Sequence, residues 1–373
     1  MVAEALITTS SPTALTVALA GGSTTELHAL WVRDACTCVE CRRPSTNERL
    51  LDSTTIPLDV SIESIERSAG RLVARTTDGH DVQIPIDWLV EHVRSTDLRD
   101  RPADGIALWE TPEAVELTAC CRADLDIESG LERWLTAIVE EGAALVHGVR
   151  PDDVGLREVA GMVGEIRATN YGVTWAIEAD LEPVSAVDSE RHLLVHTDLP
   201  YRQTAPGVQL LLAAVADVAG GVSTLVDGYC IAEQLRALDP HAWELLTTVE
   251  FSYPFVRDDV ELVGRAPIIG LHPDGRYHQI RRAPDLVGVP YLAEASIAPS
   301  LYRAMTTWTS LVDDPENEAR VALEPGDLLA FDNHRLLHGR TAFELGASGR
   351  RRLLGCYLDV DDVRSRRDIL ARR

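Results

Sequence analysis

The sequence predicts a mainly β protein with flanking helices, in which a double-sheet jelly roll is preceded by a small metal-binding β domain. Three observations carry this reading. Short apolar runs rich in Val, Ile, Leu and Thr recur between 14 and 86 and again between 184 and 357, each bounded by turn residues. Helical spacing of apolar residues is confined to a few stretches between them, and no internal repeat is visible. Many short strands separated by turn signals are the pattern of a two-sheet barrel with helices packed outside.

In chain order, strands are expected at 14–19, 26–31, 60–65, 71–75 and 81–86, with Thr77-Asp78-Gly79-His80 as a hairpin turn centred on Asp-Gly. These place an N-terminal domain at 1–98. The polar run 99–123 reads as a linker, and the larger domain spans 124–373. Leu131, Trp134, Leu135 and Ile138 fall on one helical face, predicting a helix over 127–141 that stops before Gly142. A strand at 143–149 and a helix at 153–163 follow. Strands are then read at 184–187, 193–196, 208–215, 222–226, 249–253, 267–271, 276–280, 322–323, 328–331 and 352–357. Helices are read at 228–238, 241–248 and 298–312.

The chain has 373 residues, of which 45% are hydrophobic and 25% charged, the balance of a globule able to bury a core. A formal net charge of −24 repels phosphates, so neither nucleic acid nor an anionic membrane is expected as a partner. There is no lysine, which excludes a phosphate-loop lysine, a Schiff base and any lysine catalysis. No apolar run reaches the eighteen or so residues of a membrane helix, and the start lacks a basic segment followed by an apolar one. A cytoplasmic protein is the expectation.

Three of the seven cysteines are packed as Cys36-x-Cys38-x-x-Cys41. In a reducing compartment this is the knuckle of a zinc site rather than a disulfide framework. Tetrahedral zinc takes a fourth ligand, and His80 on the hairpin turn is the candidate. A closed four-ligand site is structural. Cys120, Cys121, Cys230 and Cys356 read as small buried hydrophobes.

A second metal motif is His196-Thr-Asp198. On an extended strand these two side chains point the same way, about 6.5 to 7 Å apart. The run Phe331-Asp-Asn-His-Arg-Leu-Leu-His338 supplies a second histidine on another apolar stretch. Two histidines and one carboxylate on a metal with open positions describe a non-haem Fe(II) site. Thirteen positions beyond His338 stands Arg351, an arginine that points inward only if it has an anion to hold.

With these motifs, and with Gly220-Gly-Val-Ser-Thr-Leu-Val-Asp-Gly228, the chain resembles the taurine dioxygenase branch of the Fe(II)/2-oxoglutarate oxygenases. Within that branch it resembles the γ-butyrobetaine and trimethyllysine dioxygenase family along nearly its whole length. The matching segments are Trp31 to Cys41, Asn170-Tyr-Gly-Val-Thr-Trp175, His196-Thr-Asp-Leu-Pro200, Pro206-Gly-Val-Gln-Leu-Leu and Leu336-Leu-His-Gly-Arg340.

The resemblance implies an enzyme that binds Fe(II) through His196, Asp198 and His338, uses 2-oxoglutarate and O2, and carries a structural zinc on Cys36, Cys38, Cys41 and His80. It implies that Arg351 holds the distal carboxylate of 2-oxoglutarate with help from Ser223, and that the enzyme is a homodimer. Arg350 and Arg352 compete for the Arg351 role but lie on the opposite face of the strand. Tyr171, Trp175 and Tyr357 match positions that enclose a trimethylammonium group, for which π faces are the natural receptors. Asp188 stands where the family pattern has another aromatic, which equally suits an amine with N–H donors. Arg281 and Arg282 read either as a carboxylate or phosphonate contact or as a solvated pair. The implied reaction is hydroxylation of an unactivated C–H bond of a small cationic or zwitterionic substrate. The alternative is desaturation or cyclisation of another amine, amino acid or aminophosphonate.

Overall fold

A computed structural model describes residues 6–18, 24–95, 105–112, 115–178, 190–257, 259–344 and 350–373. The chain forms two compact units, Met1–Arg101 and Pro102–Arg373.

In the first unit, antiparallel strands Leu6–Ser11, Ala14–Ala18 and Thr24–His28 form one three-stranded sheet. Ile62–Ser68, Arg71–Thr76 and Asp81–Pro85 form another. Alternation buries Leu15 and Val17 from the first and Leu72, Val82 and Ile84 from the second in one core, closed by Leu89 and Val93 of the helix Ile86–Ser95. The strand expected at 26–31 ends early. His28 accepts a hydrogen bond at Nδ1 from Leu30 N, 3.2 Å away, and so caps the helix Ala29–Asp34. That local cap outweighs the β character of the Leu27 to Trp31 run.

The second unit is a two-sheet sandwich. The larger sheet orders its strands as Thr118–Cys121, Ala143–His147, Leu328–Asp332, Val208–Asp217, Arg350–Leu358 and Trp175–Glu178. The smaller sheet orders Leu193–His196, Leu336–Arg340, Ser223–Asp227 and Ala319–Val321. Thr118–Cys121 lies inside the stretch read as a linker and pairs in parallel with Ala143–His147. The smaller sheet's edge is Ala319–Val321 rather than 322–323, and the strand read at 184–187 lies outside the described residues.

Alternation along the larger sheet sorts its two faces. Leu210, Leu212, Leu328, Ala330, Leu354 and Cys356 pack outward beneath the helices Glu128–Glu140, Asp153–Gly161 and Val360–Leu370. Leu211, Leu329 and Phe331 point inward and meet Leu225, Ala319, Val321 and Leu336 of the smaller sheet. The same rule turns Arg351, Leu353, Gly355 and Tyr357 inward. Arg350 and Arg352 are exposed. A buried ion pair fixes the strand ends: Asp227 accepts from Arg335 Nε at 3.1 Å and Nη2 at 2.7 Å, and also from the backbone N–H of Trp109 and Tyr229.

Candidate active site

Strand pairing puts His196 directly opposite His338, with their rings 4.4 Å apart. The chain then leaves the strand at Thr197, whose N–H donates to Arg282 O at 2.8 Å and whose side chain is buried. Asp198 therefore comes round to face both imidazoles. Its Oδ1 lies 3.4 Å from His196 Nε2 and 3.8 Å from His338 Nε2. All three ligand atoms lie within 4.8 Å of one another.

Two of the three ligands are held in the form a cation needs, while at His196 burial lowers the imidazolium but Asp198 outweighs it and raises it. Burial, then the neighbouring His196, push the His338 imidazolium down to about 3, leaving a free lone pair. Burial opposes ionisation of Asp198, but the two histidines and Tyr357 outweigh it and hold the carboxyl well below its usual range. Two imidazole nitrogens and one carboxylate oxygen converge on one point, the donor set that suits Fe(II).

The loop holding Asp198 is clamped from several sides. Asn333 accepts a hydrogen bond at Oδ1 from Asp198 N (2.7 Å) and donates from Nδ2 to Asp198 O (3.2 Å) and Pro206 O (2.9 Å). Leu199 adopts a left-handed backbone with φ 52°, which costs a branched L-residue about 1 to 2 kcal/mol. Arg281 gathers the carbonyls of Pro200, Arg202 and Gln203 just beyond it. Arg282 bonds Val195 O at 2.6 Å and Asp313 Oδ1 at 2.7 Å. Both guanidiniums are buried and spent on the protein, so they are neither the solvated pair nor the free anion contact that the sequence suggested.

Arg351 is different. It is buried, and burial followed by the neighbouring Arg340 pushes its guanidinium down to about 10. Its guanidinium lies 5.5 Å from the Phe343 ring centroid, and no carboxylate pairs with it among the described residues. It opens onto a cavity of about 190 Å³ lined also by Ser223, Gly220, Gly221, Leu323 and Leu353. Gly221 has φ 66°, and a Cβ there would stand 3.1 Å from Arg351 Nε, so Gly221 makes room for the arginine. An unpaired buried guanidinium facing a small cavity fits one end of a dicarboxylate. Arg352 instead reaches outward to Glu178 at 2.8 Å.

Trp175 and Tyr357 meet at 5.5 Å between ring centroids. Tyr357 is buried and donates its hydroxyl to Asp198 Oδ2 at 2.7 Å. Tyr171 is 52% exposed and touches Phe255 edge-on, at 6.3 Å; Phe255 in turn stacks on Tyr201 at 4.4 Å. Tyr201, Phe255, Asn333 and Asp313, the partner of Arg282, were not picked out from the sequence. Only Asn333 carried a signal, through its place in the run that leads to His338. Asp188 lies outside the described residues.

In the first unit, His80 Nε2 lies 3.4 Å from each of the sulfurs of Cys36, Cys38 and Cys41. Tetrahedral zinc with ordinary bond lengths separates its sulfur and nitrogen ligands by roughly 3.5 Å, so the cage has the size zinc needs. Arg33 donates to Cys41 Sγ at 3.4 Å and pairs with Asp78 at 2.7 Å, tying the knuckle to the hairpin that carries His80. Of the other cysteines, Cys120, Cys230 and Cys356 are buried as expected, whereas Cys121 is exposed.

Residues 115–357 match the taurine catabolism dioxygenase TauD, TfdA family, and residues 7–90 match the γ-butyrobetaine hydroxylase-like N-terminal family. The chain is 33% identical to the γ-butyrobetaine dioxygenase of Pseudomonas sp. (strain AK-1), over 96% of this chain and 94% of that protein. It is 30% identical to human mitochondrial trimethyllysine dioxygenase, over 90% of this chain and 80% of that protein. A crystal structure of a putative α-ketoglutarate-dependent taurine dioxygenase from Burkholderia xenovorans aligns at 14% identity with a TM-score of 0.48, covering 67% of this chain and 92% of that one. The chain belongs to the taurine catabolism dioxygenase TauD, TfdA family.

Proposed function

We propose that this dioxygenase hydroxylates an unactivated C–H bond of a small cationic or zwitterionic substrate whose cationic head rests against Trp175 and Tyr357. The observation that carries the reading is the proximity of that aromatic pair to the triad: Tyr357 is one hydrogen bond, 2.7 Å, from Asp198. Relatives named for γ-butyrobetaine and trimethyllysine support a methylated ammonium as the head group. A methylated cation has no strong donor to offer, so π faces receive it better than carbonyls do.

In this reading His196, Asp198 and His338 hold Fe(II), which when bound activates O2 with 2-oxoglutarate as co-substrate. Arg351 and Ser223 receive the distal carboxylate of 2-oxoglutarate in their shared cavity. Asp198 keeps a single negative charge at the metal, and the aromatic wall orients the substrate over it. A structural zinc on Cys36, Cys38, Cys41 and His80 holds the N-terminal unit. The family resemblance supports a homodimer, which light scattering on a sizing column tests. No helix among the described residues is long and apolar enough to cross a membrane.

The decisive experiment is a panel of trimethylated betaines, amino acids and aminophosphonates assayed for substrate-stimulated succinate formation with Fe(II), with products identified by mass. A trimethylated betaine giving a product heavier by one oxygen is the expected result. Stimulation by a primary amine or an aminophosphonate alone overturns the methylated-ammonium reading, and a product lighter by two hydrogens replaces hydroxylation with desaturation.

A further inference from the structure

Asp198 presents its two oxygens to different neighbours. Oδ1 faces His196 Nε2 at 3.4 Å and His338 Nε2 at 3.8 Å, whereas Oδ2 accepts a hydrogen bond from the Tyr357 hydroxyl at 2.7 Å. We infer that Tyr357 is a positioning residue for the metal: its phenol reserves Oδ2, so that Asp198 gives the cation one oxygen rather than two. A carboxylate that chelates through both oxygens would occupy an additional coordination position, and the facial arrangement depends on keeping the remaining positions open. A ligating carboxylate whose second oxygen is hydrogen-bonded is also fixed in orientation.

Three observations support this assignment over a purely aromatic role for position 357. The wall beside Trp175 needs only a π face and apolar packing, which phenylalanine supplies equally well. The hydroxyl has Asp198 as its hydrogen-bond partner, so the carboxylate accounts for a phenol at this position. The ring itself cannot swing away. It is buried on the inner face of Arg350–Leu358, with Trp175 at 5.5 Å and with Gln209 opposite it on the neighbouring strand. The support therefore comes from the larger sheet, while the imidazole ligands stand on the smaller one. Asn333 completes the restraint by holding the N–H and C=O of Asp198, so the side chain and the backbone of the ligand are fixed independently.

The test uses the full chain with its N-terminal zinc retained, Mn(II) as probe, and no oxygen or 2-oxoglutarate. Free Mn(II) is counted by electron paramagnetic resonance for the parent protein, Tyr357→Phe and Trp175→Phe. Tyr357→Phe keeps the ring and removes the group that orients the ligand, so the Mn(II) Kd should rise about ten- to a hundredfold, the usual effect of losing the hydrogen-bond partner of a metal ligand. Trp175→Phe should leave it within about twofold. Equal melting temperatures of the zinc-loaded proteins without Mn(II) exclude general loosening. An unchanged Mn(II) Kd in Tyr357→Phe overturns the positioning role. A rise of the same size in Trp175→Phe overturns it as well, since the effect would then follow packing rather than the hydroxyl.

The inference builds on the same site as the proposed substrate reading but fails separately from it. Tetramethylammonium binding, measured by calorimetry on the same proteins, reports the cation wall. Its loss in Trp175→Phe with normal Mn(II) binding concerns the substrate, whereas weak Mn(II) binding in Tyr357→Phe with tetramethylammonium still bound concerns the metal.

Discussion

The six-membered ring of Trp175 fills the space that a side chain at position 355 would take: a Cβ on Gly355 would stand 2.2 Å from it. The two residues are also direct partners across the strands Trp175–Glu178 and Arg350–Leu358. Glycine at this inward-facing position is what lets the indole lie flat over the sheet beside Tyr357. Gly355→Ala should therefore cost about 1 to 3 kcal/mol by overpacking, and it should weaken substrate binding more than 2-oxoglutarate binding. Thermal melting and separate KM measurements for the two substrates check this.

Loss of a metal ligand should abolish turnover without unfolding the chain. His196→Ala and Asp198→Ala each break the three-point grip, while the surrounding clamp of Asn333, Arg281 and Arg282 acts on backbone atoms that these changes leave in place. Succinate formation should fall to background with an unchanged circular dichroism spectrum. Sustained turnover in either variant would remove these residues from the iron site.

The arginine series separates inside from outside. Arg351→Ala removes a buried charged contact worth about 1.5 to 3 kcal/mol and should raise the 2-oxoglutarate KM by ten- to a hundredfold or so. Arg352→Ala breaks only an ion pair with Glu178 whose side chains are 50% and 63% exposed, which is worth little. Its KM should stay within about twofold.

For the zinc knuckle, Cys38→Ser removes one of three sulfurs that surround His80 at 3.4 Å. Zinc content should drop below one equivalent and the melting temperature should fall, because binding energy at a closed site is folding energy. Elemental analysis beside a melt decides this, and a full equivalent of zinc in folded Cys38→Ser would refute the four-ligand site.

What the sequence displayed and what it concealed follow from distance along the chain. His196-Thr-Asp198 and the three clustered cysteines are local patterns, and their spacing already states which chemistry they suit. The spacing from His338 that the family resemblance implies singles out Arg351 over Arg350 and Arg352, and strand alternation, a local rule, puts the other two on the opposite face. Asn333 bonds across 135 residues to Asp198, and Arg282 across 87 to Val195. Nothing near either residue announces such a partner. The early end of the strand at His28 shows the opposite failure: a cap made by one side chain decided between two structures that the apolar pattern fits equally.

The division of labour between the two sheets has a mechanical consequence. His196 and His338 belong to one layer, and Tyr357 and Arg351 to the other. The sandwich thus works as a calliper whose gap is set by Leu211, Leu329 and Phe331 against Leu225 and Leu336. On the roles proposed for these residues, slackening of that inner packing should move the jaws apart and blunt metal retention and co-substrate capture at the same moment. On warming, catalysis should consequently fade while each layer still keeps its hydrogen-bonded ladder, so that inactivation reports the width of the gap rather than the melting of the strands.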